Sequence, residues 1–386
     1  MTKTQTSSSP EKKDDYSKGL EGVIAAETAL SLVDGENSQL SYRGIQVHEL
    51  SENSTFEETV YLLWYGSLPS ASALKNFSLE LASCREASPY LLDLIQKFPK
   101  KAHPMAVLRT AVSALALEDP DADNLNSQSL LKKSFRLTGV FPTLLAAFYR
   151  NREGKKPIEP DRTLSHAANF LFMMHGKAPN KEMERALDAY LVLLADHGLN
   201  ASTFSARVTA ATQSDLYSAV TSAIGTLKGD LHGSANQRAM EMILEIGEVS
   251  KVENYVRNLF VQKKKIMGFG HRIYKHHDPR AVIFKQIAKL ICQGTEFEKL
   301  YLISEKIEEM VQREKQIPCN VDFYSASVLY AAGIPVDLFT TLFALSRIAG
   351  WTAHILEQQK DNRLIRPEAL YTGLIDQPYV PLEKRG

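Results

Sequence analysis

Apolar residues in this chain recur at spacings of three and four, and almost nowhere do they alternate with polar ones. Met183, Leu187, Leu191 and Leu194 form one such stripe and Leu300, Ile303, Ile307 and Met310 another, each reading as the inward face of a helix. Few segments combine period-two alternation with β-branched or aromatic residues, so a parallel sheet and the nucleotide folds built on one lose support. The exception is 29–45, ALSLVDGENSQLSYRGI, where Asp34-Gly35 between strand-like residues predicts one small hairpin. Beyond it, Thr55 and Glu58 make a capping box ahead of Val60, Leu63 and Trp64, and Gly66 and Pro69 stop that helix. The expected class is all-α with a small N-terminal β hairpin.

A chain of 386 residues is longer than one compact core needs, which predicts two domains. Lys plus Arg is 45 and Asp plus Glu is 45, so no net field draws the chain to nucleic acid or to a membrane, and any anion site is local. Cys84, Cys292 and Cys319 form an odd set without a C-x-x-C pair. That usage fits a reducing compartment, predicts a cytoplasmic protein, and offers no thiolate metal cluster. Residues 1–18 lack the apolar core of a signal peptide and read as a disordered polar tail. The greasiest run, Leu329 to Leu345, is interrupted by Gly333, Pro335 and Asp337, short of the roughly 20 apolar residues of a membrane span. Phosphate-loop, dinucleotide and zinc-protease motifs are absent.

Polar, glycine-containing stretches carry the functional signal. In ADHGLNASTFSAR (195–207), His197, Asn200, Ser202 and Arg207 offer donors for a small anion, or Asn200 and Ser202 simply cap a helix. In KGDLHGSANQ (228–237), Gly233 permits a close approach beside His232, as a catalytic imidazole requires; a solvated loop histidine is the plainer reading. In KKKIMGFGHRIYKHHDPR (263–280), Gly268 and Gly270 free the backbone before His271, amid Lys263, Lys264, Lys265, Arg272, Lys275 and Arg280. This suits a polyphosphate and carboxylate site, against an exposed basic loop. A metal at His276, His277 and Asp278 is disfavoured, because adjacent histidines rarely point the same way.

Asp322 lies between Val321 and Phe323, where loss of solvent raises a carboxyl pKa and suits a general base, unless the residue merely caps the following helix. Cys319 reads as a small buried residue with no local base to activate it. Arg347, among apolar neighbours, demands a carboxylate partner from protein or ligand. Arg366 precedes Pro367, the expected first residue of a helix, where a cation calls for a compensating anion.

Taken in order, GLEGVIAAETALSLVDG with YRG, DHGLNAS, LHGSANQ, GFGHRIYKHHDPR, NVDFYS, SRIAGWTAHILEQ and RPEALYTG resemble the citrate synthase family, from Gly19 to Gly373. The resemblance implies a two-domain helical fold: a large domain from 19–224 and 331–386, and a small one, 225–330, that closes over substrate in a homodimer or higher homo-oligomer. It implies a tricarboxylic acid cycle transferase that condenses acetyl-CoA with oxaloacetate and hydrolyses citryl-CoA to citrate and CoA, with neither cofactor nor metal. The alternatives are a 2-methylcitrate synthase using propionyl-CoA and a non-catalytic metabolite-binding or assembly subunit. His232 matches the donor to the thioester oxygen, Asp322 the base, and His271 the histidine that polarises the ketone. His197, Arg280 and Arg347 match residues holding substrate carboxylates, Arg366 an arginine from the partner subunit, and Ser202 a supporting serine. Lys263, Lys264, Lys265, Arg272 and Lys275 are the candidates for CoA. The family's commoner D-H-E, P-L-H-G-G and D-F-Y-S-G read here with Gly198, with Asp230 and Ser234, and with Ala326.

Overall fold

The computed structural model describes residues 16–385; most of the expected 1–18 tail, residues 1–15, lies outside the described residues. Three short strands, β1 (Ser31–Asp34), β2 (Gln39–Tyr42) and β3 (Ile45–Gln46), form one antiparallel sheet in that order. The expected hairpin is β1–β2, with Ser31 opposite Tyr42 and Asp34 opposite Gln39. The third strand is an addition: two residues long, it carries no alternation that sequence could reveal.

Helices make up most of the remaining described chain: α1 (Val47–Asn53), α2 (Phe56–Tyr65), α3 (Ala71–Ser83), α4 (Pro89–Lys97), α5 (Pro104–Leu115), α6 (Ser127–Arg152), α7 (His166–His175), α8 (Lys181–Leu194), α9 (Ala201–Ala211), α10 (Leu216–Leu227), α11 (Ala235–Ile246), α12 (Val252–Val261), α13 (Pro279–Cys292), α14 (Glu298–Lys315), α15 (Val321–Ala331) and α16 (Phe339–Lys360). Local chemistry sets their ends. Thr55 accepts the Glu58 N–H at the start of α2, and Gly66 ends that helix in the left-handed region. Leu187, Leu191 and Leu194 are buried with Met183 packed beside them, and the α14 stripe is buried throughout. Among the described residues no helix is long and apolar enough to cross a membrane.

α16 organises the core. It is buried on nearly every face and packs against α2, α6, α8, α9 and α10, as expected of a helix apolar all round. The chain just after α8 approaches it closely at Gly350, where a Cβ would stand 2.4 Å from Asp196 Oδ1 and 2.5 Å from the Ala195 carbonyl oxygen. Tyr42 anchors the sheet to the same turn, its hydroxyl donating towards the Leu193 and Asp196 carbonyls, each at 3.0 Å.

The described chain divides into two units, Thr28–Leu364 and the terminal segments outside it. The terminal unit holds only single helical turns at Lys18–Leu20 and Leu382–Lys384. No helix begins at Pro367, contrary to the sequence expectation: residues 362–372 are irregular, and Arg366, Leu370 and Tyr371 are exposed. A helix N-terminal signal without a face to bury does not nucleate.

Candidate active site

Backbone pairing gathers the predicted residues. The Gly268–Gly270 loop runs against 318–320: Gly270 N–H donates to Pro318, Asn320 N–H to Gly268, and the Asn320 side chain to Gly270. His271 and Asp322 are thereby brought to one place, although about fifty residues of chain lie between them. Gly268 has φ of 81°, and a Cβ there would lie 2.8 Å from the Phe323 side chain. Gly268→Ala therefore meets both left-handed strain and a packed ring; a loss of roughly 2 to 4 kcal/mol in urea unfolding is expected, with turnover falling alongside it.

Asp278 is a second fastener. It caps α13, its carboxylate receives Arg280 Nε at 3.0 Å and Nη2 at 2.9 Å, and it accepts the Val321 N–H at the start of α15 at 3.0 Å. Arg280 is thus buried in a bidentate pair with a protein carboxylate. Arg347 differs. Fully buried, it donates Nε to the Leu194 carbonyl at 2.7 Å and lies over the Phe343 ring, with no carboxylate in ion-pair range among the described residues. Burial lowers its pKa to about 10, so it stays charged at neutral pH. The Asp196 carboxylate pulls that pKa back up through space without pairing with the guanidinium, so the protein meets the expected carboxylate partner only in part.

The histidines have assigned faces. His271 Nδ1 accepts the backbone N–H groups of Ile273 and Tyr274 at 3.0 and 3.1 Å. A ring nitrogen that accepts carries no proton, so neutral His271 presents its N–H at Nε2. His232 Nε2 accepts the Ser202 N–H at 3.2 Å and lies 2.8 Å from Ser202 Oγ, which places the His232 proton on Nδ1. Trp351 Nε1 fixes that serine, donating to Oγ at 3.1 Å. Both rings are pushed down to about 4, by burial first and then by Arg280 for His271 and Arg347 for His232. Gly233 is required beside His232, because a Cβ would sit 2.3 Å from the Leu227 carbonyl oxygen.

His197 is buried, 3.0 Å from the Tyr274 hydroxyl, with its ring 5.4 Å from that of His271. Burial and then the charge of Arg280 hold it well below the usual histidine range. Asp322 occupies the first turn of α15 but is not its cap; Asn320 is. Burial pushes the Asp322 carboxyl up to about 7, although Arg280 pulls the other way. Arg347 is felt by His197, His232 and Asp322, and Arg280 by His197, His271 and Asp322, so all six groups share one charged neighbourhood.

The other candidates are each in their own surroundings. Lys263, Lys264, Lys265, Arg272 and Lys275 are exposed, and Lys275 pairs with Glu36 of the β1–β2 turn. Arg366 is exposed in the terminal unit. Arg207 is bonded to Glu357 and Gln358 and is part of the protein frame. Cys319 does have a neighbouring acid, since its thiol donates to Glu308 at 3.4 Å, but burial pushes that thiol strongly up and leaves it inert. Gly198 is left-handed, with φ of 56°, and faces Val33, so an acid at this position would be strained. Among the described residues no three His, Cys, Asp or Glu side chains group as metal ligands.

A family model described as citrate synthase, C-terminal domain, matches residues 19–368. The chain is 47% identical over 369 residues to citrate synthase 2 of Bacillus subtilis, covering 95% of this chain and 99% of that protein. The chain belongs to the citrate synthase family. A citrate/2-methylcitrate synthase of the same organism is 42% identical over 94% of this chain and 98% of its own length. The fold agrees: the ternary complex of carboxymethyl coenzyme A and oxaloacetate with the Thermoplasma acidophilum citrate synthase superposes with a TM-score of 0.91 at 33% identity, covering 97% of this chain and 100% of that one. The sequence alone does not single out Tyr274 or Trp351, and it names Asp278 only within a disfavoured metal triplet. Their parts depend on contacts between distant segments, and only their presence inside the family-like stretches signals them.

Proposed function

We propose that the chain condenses acetyl-CoA with oxaloacetate and hydrolyses the citryl thioester to citrate and CoA. The observation that carries this reading is the pair of neutral imidazoles with fixed protons, His232 at Nδ1 and His271 at Nε2, grouped with one high-pKa carboxyl. Abstracting a methyl proton alpha to a thioester builds charge on the carbonyl oxygen, so the base needs an aimed donor. Asp322 takes the proton and His232 Nδ1–H faces the oxygen. The enolate attacks a ketone whose oxygen also turns negative; His271 Nε2–H hydrogen-bonds it, and the proton Asp322 took is returned to that oxygen as the citryl hydroxyl, which leaves Asp322 ionised again.

The carboxylates of oxaloacetate fall to Arg347, which makes no ion pair among the described residues, with His197 and Arg280 beside it and Arg366 supplied from a second copy in a homodimer. Ser202 keeps His232 in its tautomer. Lys263, Lys264, Lys265, Arg272 and Lys275 line the basic rim for CoA phosphates. Residues 225–330 are the small domain of this proposal; they move against 19–224 and 331–386 to exclude water before condensation. The reaction needs no cofactor, and a cytoplasmic setting accords with the cysteine usage.

Thiol release from acetyl-CoA, with and without oxaloacetate, tests the reading: release that depends on oxaloacetate is expected, and oxaloacetate binding without any release would leave a metabolite-binding subunit. Relatives carry both citrate and 2-methylcitrate names, so the acyl group is tested as well. One methylene changes kcat/KM by about 10- to 200-fold, and we expect acetyl-CoA to be favoured over propionyl-CoA within that span.

A further inference from the structure

Tyr190 of α8 and Asn236 of α11 are each fully buried and face one another closely enough for the Asn236 side chain to act on the phenol, yet neither the Tyr190 hydroxyl nor Asn236 Nδ2 completes a well-formed hydrogen bond among the described residues. Buried polar atoms are nearly always well bonded, so a facing hydroxyl and amide that do not complete a bond to each other leave room for a polar partner that comes with the reaction. Their elements converge there: α8 and α11 both pack on α15, which carries Asp322, and the Tyr190 ring lies 5.8 Å from Phe284 of α13. Asn236 follows His232 by four residues, and its Oδ1 is already engaged by the Gln237 N–H at 2.7 Å, which leaves the amide nitrogen as the open group. The Tyr190 phenol is raised by burial first and by the Asp322 charge second, while the Asn236 side chain and then Arg347 lower it, which puts the hydroxyl beside Asn236 and in the field of both charged groups.

We infer that Tyr190 Oη and Asn236 Nδ2 seat the water molecule that hydrolyses the citryl thioester, beside Asp322. The inference rests on the proposed condensation and hydrolysis and assigns to these two positioning residues the second half of that reaction. An ordered water needs two to four polar partners, and the tyrosine hydroxyl, the amide N–H and the Asp322 carboxylate supply three. The amide donates to the water oxygen and the carboxylate accepts one of its protons, which leaves a lone pair for the carbonyl carbon. As that oxygen bonds to carbon, the water proton passes to Asp322 and the C–S pair leaves with sulfur. The sum is a new carboxylate, free CoA thiol and one released proton.

The test supplies citryl-CoA to the full-length wild-type protein, Tyr190→Phe and Asn236→Ala, and separately follows acid-quenched single turnovers from acetyl-CoA and oxaloacetate. The ratio of hydrolysis to condensation is expected to fall by on the order of 10- to 100-fold in each variant, with citryl-CoA accumulating in the quenched samples. An equal fall in both steps, or no change in the ratio, overturns the inference. Oxaloacetate binding by calorimetry reports an intact site; if Asn236→Ala fails to fold, Tyr190→Phe, which removes only a hydroxyl, decides. Failure of the wild-type protein itself to release CoA from citryl-CoA would count against the proposed function instead.

Discussion

Asp322→Asn is expected to lower turnover by about 10² to 10⁴ while making the protein more stable at neutral and alkaline pH. Both effects have one cause. Burial pushes the Asp322 carboxyl up to about 7, so the folded protein resists holding that charge. With the unfolded pKa near the ordinary value of 3.8, the folded state is not penalised below about pH 4, is penalised progressively as pH rises towards 7, and bears the full cost above it. The amide is never charged, so the variant should gain on the order of 1 to 3 kcal/mol at pH 8 and nothing at pH 4. Catalysis moves the other way, because only the ionised carboxylate removes a proton; wild-type kcat/KM should fall as pH drops below about 7. Urea unfolding at the two pH values and thiol release across the range measure both. A variant that turns over normally, or one that gains no stability at pH 8, contradicts a desolvated base at Asp322.

What could be read in advance was whatever short-range chemistry controls. The α8 and α14 stripes, the Thr55–Glu58 start and the Gly66 stop are all decided within one or two turns of chain. Gly233 and Gly268 were legible as sites of close approach, but what approaches them, the Leu227 carbonyl and the Phe323 ring, was not. Asp278 shows the limit most clearly. In sequence it is one member of a doubtful metal triplet; in the fold it ties Arg280 to the start of α15 and so fixes the distance between two helices. Pro367 is the converse, a correct local signal with no surface behind it. Arg347 lies between these cases: the expense of burying its charge was predictable, yet only the fold shows that Asp196 relieves it through space while no carboxylate among the described residues pairs with it.

His271→Ala and His232→Ala should each cost about 10² to 10³ in kcat, or roughly 3 to 4 kcal/mol of transition-state stabilisation, with a smaller change in oxaloacetate affinity. Two kinds of catalysis would give that loss: an imidazolium that hands over its proton, or a neutral ring that donates a hydrogen bond and keeps it. The ring geometry separates them. His271 Nδ1 and His232 Nε2 both accept backbone N–H groups, an arrangement that a doubly protonated ring would break. Burial pushes both rings down to about 4, so each is neutral throughout the working range. A neutral donor imposes no alkaline limb, and kcat/KM should therefore stay level from about pH 7.5 to 9 once Asp322 is ionised. An alkaline fall with an apparent pKa of about 6 to 8 that vanishes in either alanine variant would make that histidine a proton donor. Ser202→Ala supplies the independent check: it removes the hydroxyl that lies 2.8 Å from His232 Nε2 and helps seat the ring, keeps the backbone N–H that sets the tautomer and leaves the groups about His271 untouched, and its loss should appear in exchange of the acetyl-CoA methyl protons before any ketone is attacked.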